Sequence, residues 1–171
     1  MVGWCADCCP SSMQENTARV ERLIAAPASR VWKALITPSA IKRYFFGADV
    51  ETDWRAGNPI RWRGEFNGKP FEDKGEILIF QPESRLRFSH WSAMSGTTDA
   101  PENYHTVTFD LKPESTGTRV VLTQGNFTGG VRETDIQNRS EYEKNWAMVL
   151  ENLATVVQES MSQIRAGSGA G

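Results

Sequence analysis

The feature that most constrains the fold is an apolar stripe in the C-terminal part of the chain. Its members recur every three or four residues: Tyr142, Trp146, Val149, Leu150, Leu153, Val156, Val157, Met161 and Ile164. This spacing predicts one helix of about 25 residues, about 37 Å long, with a single apolar face. The run Ser140-Glu141-Tyr142-Glu143 matches the S-x-x-E capping box and predicts that the helix begins there. Such a stripe has to be buried against another element.

The N-terminal part of the chain predicts one strand and two short helices. Residues 17–24 favour a strand, and Pro27 suits the first position of a helix that runs to about Ile36. Thr37-Pro38 then combines an N-cap residue with a proline at the first helical position. This signal predicts a second short helix, which ends near Gly47.

The following ninety or so residues predict consecutive antiparallel hairpins. Apolar-alternating runs are separated there by turn signals at Asn67-Gly68, at 81–84, across a long loop at 92–103, and at 113–117. The order of elements is therefore strand, two helices, a meander of strands and one long helix. This order favours an α+β protein in which a curved antiparallel sheet packs against the C-terminal helix.

The register of the hairpins can be derived, because side chains alternate between faces and directly paired residues share a face. The long loop at 92–103 is taken to close symmetrically, so that Trp91 faces Tyr104. The turns then give these pairs: Ile60 with Gly75, Trp62 with Asp73, Ile77 with Phe88, Ile79 with Leu86, Leu86 with Phe109, Phe88 with Val107, Phe109 with Leu122, and Leu111 with Val120. One face then receives the apolar set: Ile60, Trp62, Phe71, Ile77, Ile79, Leu86, Phe88, Val107, Phe109, Leu111, Val120 and Leu122. The other face receives mainly charged residues and threonine. The long helix is therefore predicted to pack on the apolar face.

Polar residues interrupt the apolar face at one end of the sheet. Asp73, His90, His105, Gln124 and Asn126 share its parity, and the register places His90 opposite His105. One interpretation is a ligand pocket that combines aromatic walls with a few convergent polar groups. The other interpretation is that the strands fray here and these side chains meet solvent.

Composition excludes several classes of function. The net charge is -2, so the basic excess that is typical of nucleic-acid binders is missing. Apolar runs fall well short of the ~20 residues that a membrane-spanning helix needs, and membrane insertion is not expected. The chain has two histidines, and its three cysteines all lie near the N-terminus, at Cys5, Cys8 and Cys9. A zinc site needs about four ligands, and no histidine or fourth cysteine lies near these three in the sequence, so no metal site is predicted. No cofactor is predicted either.

The domain organisation follows from the ends of the chain. Residues 1–16 are predicted to be a flexible tail, residues 17–165 a single ligand-binding domain, and the Ala, Gly and Ser residues at 166–171 a second flexible tail. The N-terminus does not resemble a secretory signal, so a cytoplasmic location is expected. The cysteines would then be reduced and dispensable to the domain.

Several segments carry a family resemblance: 24–38, 75–82, 86–91, 118–124, and Asn145-Trp146 in the last helix. With these segments, residues 17–160 resemble the START-like, or SRPBCC, superfamily. Within it, the chain is most similar to proteins that resemble the C-terminal domain of the heat shock protein 90 ATPase activator. The resemblance implies the helix-grip fold, in which a curved seven-stranded antiparallel sheet surrounds a long C-terminal helix and two short helices follow the first strand.

The resemblance also implies a cavity between sheet and helix that holds a lipid, a polyketide or another hydrophobic molecule. The ligand predicted for this chain is a lipid, a polyketide or an aromatic metabolite. The residues predicted to contact this ligand are Trp62, Asp73, Ile77, Phe88, His90, His105, Val107, Gln124, Asn126, Trp146 and Leu150. A binding role predicts a closed, dry cavity along Trp62, Phe88 and Trp146.

Two further functions stay open at this stage. A cyclase- or hydrolase-like enzyme would use a histidine beside a carboxylate to move a proton, and its candidates are His90, His105 and Asp73. A module that contacts a chaperone would need an exposed apolar patch, whereas the predicted outer face of the sheet is charged. Ligand binding is the function that the sequence favours.

Overall fold

The computed structural model describes residues 16–169. Its elements, in chain order, are β1 (Asn16–Ile24), α1 (Ala28–Ile36), α2 (Pro38–Tyr44), β2 (Asp49–Glu51), β3 (Pro59–Phe66), β4 (Lys69–Gln81), β5 (Arg85–Ser92), β6 (His105–Glu114), β7 (Gly117–Asn126) and α3 (Glu133–Gly167). All seven strands form one curved antiparallel sheet in the order β1-β7-β6-β5-β4-β3-β2. This architecture confirms the predicted α+β helix-grip fold.

The core lies between the sheet and the three helices. The middle of the α3 stripe is fully packed: Trp146, Val149, Leu150, Leu153, Val156 and Val157 are all buried. The stripe loses its cover toward the C-terminal end, where Ile164 is 44% exposed. Of the helices in the described residues, none is both long and apolar enough to cross a membrane.

The second short helix begins where the sequence predicts, and the first begins one residue later. Pro27 is the N-cap of α1, and Pro38 is the first residue of α2. The Thr37 hydroxyl, however, donates to the Lys33 carbonyl at 2.5 Å instead of capping α2. The helix also stops at Tyr44, short of Gly47, and Phe46 and Gly47 both take positive φ values in the turn that follows.

The predicted register is correct for the β3–β4 pair and the β5–β6 pair. Ile60 pairs with Gly75, Phe88 with Val107, and His90 with His105. The β6–β7 hairpin also has its predicted pairs, although its strands continue to a two-residue turn between Glu114 and Gly117. The polar residues therefore occupy one end of the inner face.

The β4–β5 hairpin departs from the prediction at a bulge. Ile77 pairs with Phe88 as expected, but the next pair joins Ile79 to Arg87, so β4 carries one extra residue. The predicted pairing of Ile79 with Leu86, and its place on the apolar face, are wrong. Phe80 takes that place instead and packs against Trp32, with a ring-centroid distance of 5.2 Å.

The predicted start of the last helix is also wrong. α3 begins at Glu133, and Ser140 and Glu143 lie inside it. The capping interaction is made by Asp135, whose Oδ2 accepts the Arg132 backbone N–H at 3.2 Å. Glu143 instead accepts the backbone N–H of Arg19, on β1, at 3.2 Å.

The predicted tails lie largely beyond the described residues. Residues 1–15, including the three cysteines, are outside them, and β1 begins at Asn16. At the other end α3 continues through Ala166 and Gly167, two residues into the predicted C-terminal tail.

Candidate functional site

A pocket of about 540 Å³ lies at the polar end of the inner face, between the sheet and the first turns of α3. Six aromatic side chains contribute to its wall: Phe45, Phe46, Phe71, Trp91, Tyr142 and Trp146. Its ionisable lining residues are Asp73, His90, His105, Arg132 and Asp135. The combination of aromatic walls and a few polar groups is typical of a small-molecule site.

The first ionisable pair joins β4 and β5. His90 Nε2 lies 3.0 Å from Asp73 Oδ2, and the His90 ring contacts Trp62 edge-on at 5.2 Å. Because the carboxylate accepts this hydrogen bond, Nε2 carries the proton. The other carboxylate oxygen, Asp73 Oδ1, is buried and has no hydrogen-bond partner among residues 16–169.

The second pair joins β6 to α3. His105 Nε2 lies 3.1 Å from Asp135 Oδ1, while Asp135 Oδ2 accepts the Asn126 side-chain amide at 2.8 Å. Tyr142 packs edge-on against the His105 ring at a centroid distance of 5.7 Å. Asp135 therefore ties two strands and the start of α3 together in the wall of the pocket.

The pKa shifts of this second pair leave it with a single charge, on Asp135, at neutral pH. Burial lowers the pKa of His105 from 6.5, and the hydrogen bond from its ring to Asp135 only partly offsets this effect. Burial alone would raise the pKa of Asp135, but hydrogen bonds from Asn126, His105 and the Arg132 amide together bring it below 3.8. The pair is thus a neutral imidazole and a carboxylate.

A third contact forms the inner wall of the pocket. Trp146 Nε1 on α3 donates to Gln124 Oε1 on β7 at 2.7 Å. Gln124 Nε2 donates in turn to the Thr17 hydroxyl on β1 at 3.2 Å. These bonds fix the orientation of the Gln124 amide and engage the donor of the Trp146 indole.

The predicted ligand contacts divide into two groups. One group lines the pocket: Asp73, His90, His105, Gln124 and Trp146. Asn126 is not part of the lining, but it holds Asp135 in place. The other group is part of the packed core: Trp62, Ile77, Phe88, Val107 and Leu150.

The closed cavity predicted along Trp62 and Phe88 is replaced by close packing. The void that these two rings help to line measures only about 20 Å³, which is room for about one water molecule. The space for a ligand lies instead at the polar end of the sheet, where Trp146 borders it.

Sequence reasoning missed the parts of the pocket that come from loops and from the first turns of α3. These residues include Phe45, Phe46, Ser95, Asn103, Arg132, Asp135, Asn138 and Asn145. Asp135 had a signal, since acidic residues are enriched in the first turn of a helix. The misplaced helix start concealed it.

The lowered pKa of His105 predicts a loss of stability in mild acid. A group whose folded pKa lies below its unfolded value stabilises the fold above the unfolded value, here 6.5, and this contribution is lost as the pH falls. We expect the free energy of unfolding, measured with urea, to fall between pH 7.5 and 5.5. His105→Gln, which keeps a donor for Asp135, should lose less stability over this interval than the unmodified protein. An equal loss in both proteins would contradict the assignment.

The family of the chain is decided by its sequence match. The family model described as "Activator of Hsp90 ATPase homolog 1-like protein" matches residues 25–158. The chain belongs to this family. No curated protein gives a significant match. The fold of the family, START-like or SRPBCC-type, commonly binds hydrophobic ligands.

Solved structures share the fold of this chain. The solution structure of ChR145 from Cytophaga hutchinsonii is 41% identical, with a TM-score of 0.67, and the match covers 85% of this chain and 95% of that one. The crystal structure of MLL2253 from Mesorhizobium loti is 22% identical, with a TM-score of 0.65 and coverages of 82% and 96%. DynU16, a putative protein in the dynemicin biosynthetic locus, is 18% identical, with a TM-score of 0.66, and is covered over 46% of its length. The two more distant matches show the fold alone.

Proposed function

We propose that this protein binds a small hydrophobic molecule in the pocket between the sheet and the start of α3. The observation that carries the proposal is the pocket itself. Its volume of about 540 Å³ lies within the range of roughly 300–1,000 Å³ that is usual for small-molecule sites. Six aromatic side chains line it, and aromatic rings offer a large apolar contact area to such a ligand.

The packing around the pocket supports a preformed site. Phe45 lies between the core and the pocket, with its ring 5.9 Å from that of Trp62 and 6.1 Å from that of Trp146. The hydrogen bond from Trp146 to Gln124 holds the adjoining wall. Because these side chains are already ordered by the fold, binding has little conformational entropy to remove from them.

The proposal can be tested with the neutral fluorescent dye Nile red and a variant that fills the pocket. Asn145 is exposed on α3 and lines the pocket, so Asn145→Trp places a large ring in the binding space. We expect this variant to weaken Nile red binding by about tenfold or more. The matched control is Lys144→Trp, which adds the same ring at the neighbouring exposed position, away from the pocket lining. Equal binding by the two variants, or no binding by the unmodified protein, would refute the proposal.

A second candidate function is proton-transfer catalysis in the same pocket. It is favoured by one observation: each histidine of the pocket is hydrogen-bonded to a carboxylate, His90 to Asp73 and His105 to Asp135. Such a pair can act as a general base toward a bound carbonyl compound. Turnover of a bound compound distinguishes this function from ligand binding, because a binding protein returns its ligand chemically unchanged. The third candidate, contact with a chaperone, rests on the description of the family alone.

A further inference from the structure

We infer that the ligand of this pocket is an aromatic molecule with a hydroxyl or amine group, which donates a hydrogen bond to Asp73 Oδ1. The inference rests on the proposed function and names the class of ligand. It also includes a selectivity: aromatic carboxylates are rejected by the same site.

One oxygen of the Asp73 carboxylate lacks a hydrogen-bond partner among the described residues. Asp73 is only 7% exposed and lines the pocket, yet its Oδ1 lacks a hydrogen-bond partner among residues 16–169. A buried carboxylate oxygen in this condition is destabilising, and a donor that reaches it is correspondingly favourable. Asp73 lines the pocket, so this oxygen is the acceptor that we assign to a donor on the ligand.

Three donors in the pocket wall already have acceptors. The Trp146 indole N–H donates to Gln124, and the Gln124 amide donates to Thr17. The His90 Nε2–H donates to the other oxygen of Asp73. No described side chain donates to Asp73 Oδ1, so a donor on the bound molecule would be its first hydrogen-bond partner.

The charges in the pocket wall disfavour an anionic ligand. Asp73 and Asp135 both line the pocket, and His105 beside Asp135 is neutral at pH 7. Arg132 is the sole lysine or arginine in the described lining, and its guanidinium donates to the Asn103 side chain at 3.3 Å. A carboxylate placed against Asp73 would meet a buried like charge, which is strongly unfavourable. A neutral or cationic donor meets no such penalty.

The aromatic wall of the pocket also favours a particular class of ligand. Phe45, Phe71 and Trp146 line the pocket together with Asp73. Aromatic side chains favour aromatic ligands through offset-stacked and edge-to-face contacts. The combination of one buried acceptor with aromatic walls is suited to phenols and aromatic amines.

The test compares three probes with the same ring system at pH 7, by isothermal titration calorimetry. 2-Naphthol carries a donor, 2-methoxynaphthalene has no donor, and 2-naphthoate is an anion. We expect the unmodified protein to bind 2-naphthol about tenfold tighter than 2-methoxynaphthalene, with 2-naphthoate the weakest of the three. This ranking needs no variant and so does not depend on whether a variant folds.

Two variants then assign the preference to Asp73. Asp73→Asn keeps an oxygen for His90 and replaces Oδ1 by an NH₂ donor, so it should reduce the preference for 2-naphthol to within about threefold and improve 2-naphthoate binding. Glu72→Gln removes one charge from the adjacent residue, on the other face of β4, and should leave the ranking unchanged.

The outcomes separate this inference from the proposed function. Equal binding of all three probes, or binding of Nile red but of none of them, would overturn the inference and leave hydrophobic-ligand binding standing. A tenfold preference that persists in Asp73→Asn would overturn the role of Asp73. Failure of the three probes and of Nile red would overturn both.

Discussion

Gly75→Ala is expected to destabilise the protein by about 3 kcal/mol or more. A Cβ atom at this position would lie 1.6 Å from the carbonyl oxygen of Ser89 and 2.5 Å from its carbonyl carbon. Both are backbone atoms of β5, so a change of rotamer cannot relieve the overlap. β4 and β5 would have to separate two residues away from Asp73, at the edge of the pocket.

Gly167→Ala provides the matched control. A Cβ on Gly167 would meet nothing within 4 Å, and the residue lies in the last turn of α3. Since alanine is the better helix former, this variant should be neutral or slightly more stable. Urea unfolding of the two variants measures the difference. A loss in Gly75→Ala of less than about 0.5 kcal/mol would show that the strands can accommodate the methyl group.

Asp135→Ala is expected to destabilise the protein by about 3 kcal/mol. The substitution leaves three buried or half-buried donors without their acceptor: the Asn126 amide, the His105 ring and the Arg132 backbone N–H. It also removes the negative charge at the positive end of the α3 dipole. The first turns of α3, which form one wall of the pocket, should therefore fray.

Glu133→Ala separates the effect of the hydrogen bonds from that of the charge. Glu133 occupies the same first turn of α3 but is exposed, whereas Asp135 is 3% exposed. We expect a loss of less than about 0.5 kcal/mol for Glu133→Ala. Urea unfolding measures stability, and hydrogen exchange of the amides in 133–142 reports fraying. Similar losses in the two variants would mean that Asp135 acts only through its charge.

The sheet could be predicted from the sequence because its register obeys a short-range rule. Side chains alternate strictly along a strand, so a two-residue turn at Asn67-Gly68 fixes every pair behind it, including Trp62 with Asp73. The same rule placed His90 opposite His105. The first prediction required only the position of a turn, and the second also required that the 92–103 loop close symmetrically.

The bulge in β4 could not be predicted, and the reason again lies in the local sequence. Ile77, Leu78, Ile79 and Phe80 are apolar without interruption, so alternation does not indicate which of them face the core. Packing made the choice, since Phe80 fits between Trp32 and Trp54. The structure thus corrects the register at the point where the sequence shows no apolar–polar alternation.

The sequence by itself determined the curved sheet, the helix that packs on it and the cluster of polar residues at one end of the apolar face. Only the tertiary structure decided which hydrogen bonds join the residues of this cluster. It closed the apolar end by packing Trp62 and Phe88, brought Asp135 to His105 across thirty residues, and left Asp73 Oδ1 without a hydrogen-bond partner among the described residues. The reason is physical: alternation and turns act between near neighbours, whereas a hydrogen bond between a strand and a distant helix depends on where the two elements pack.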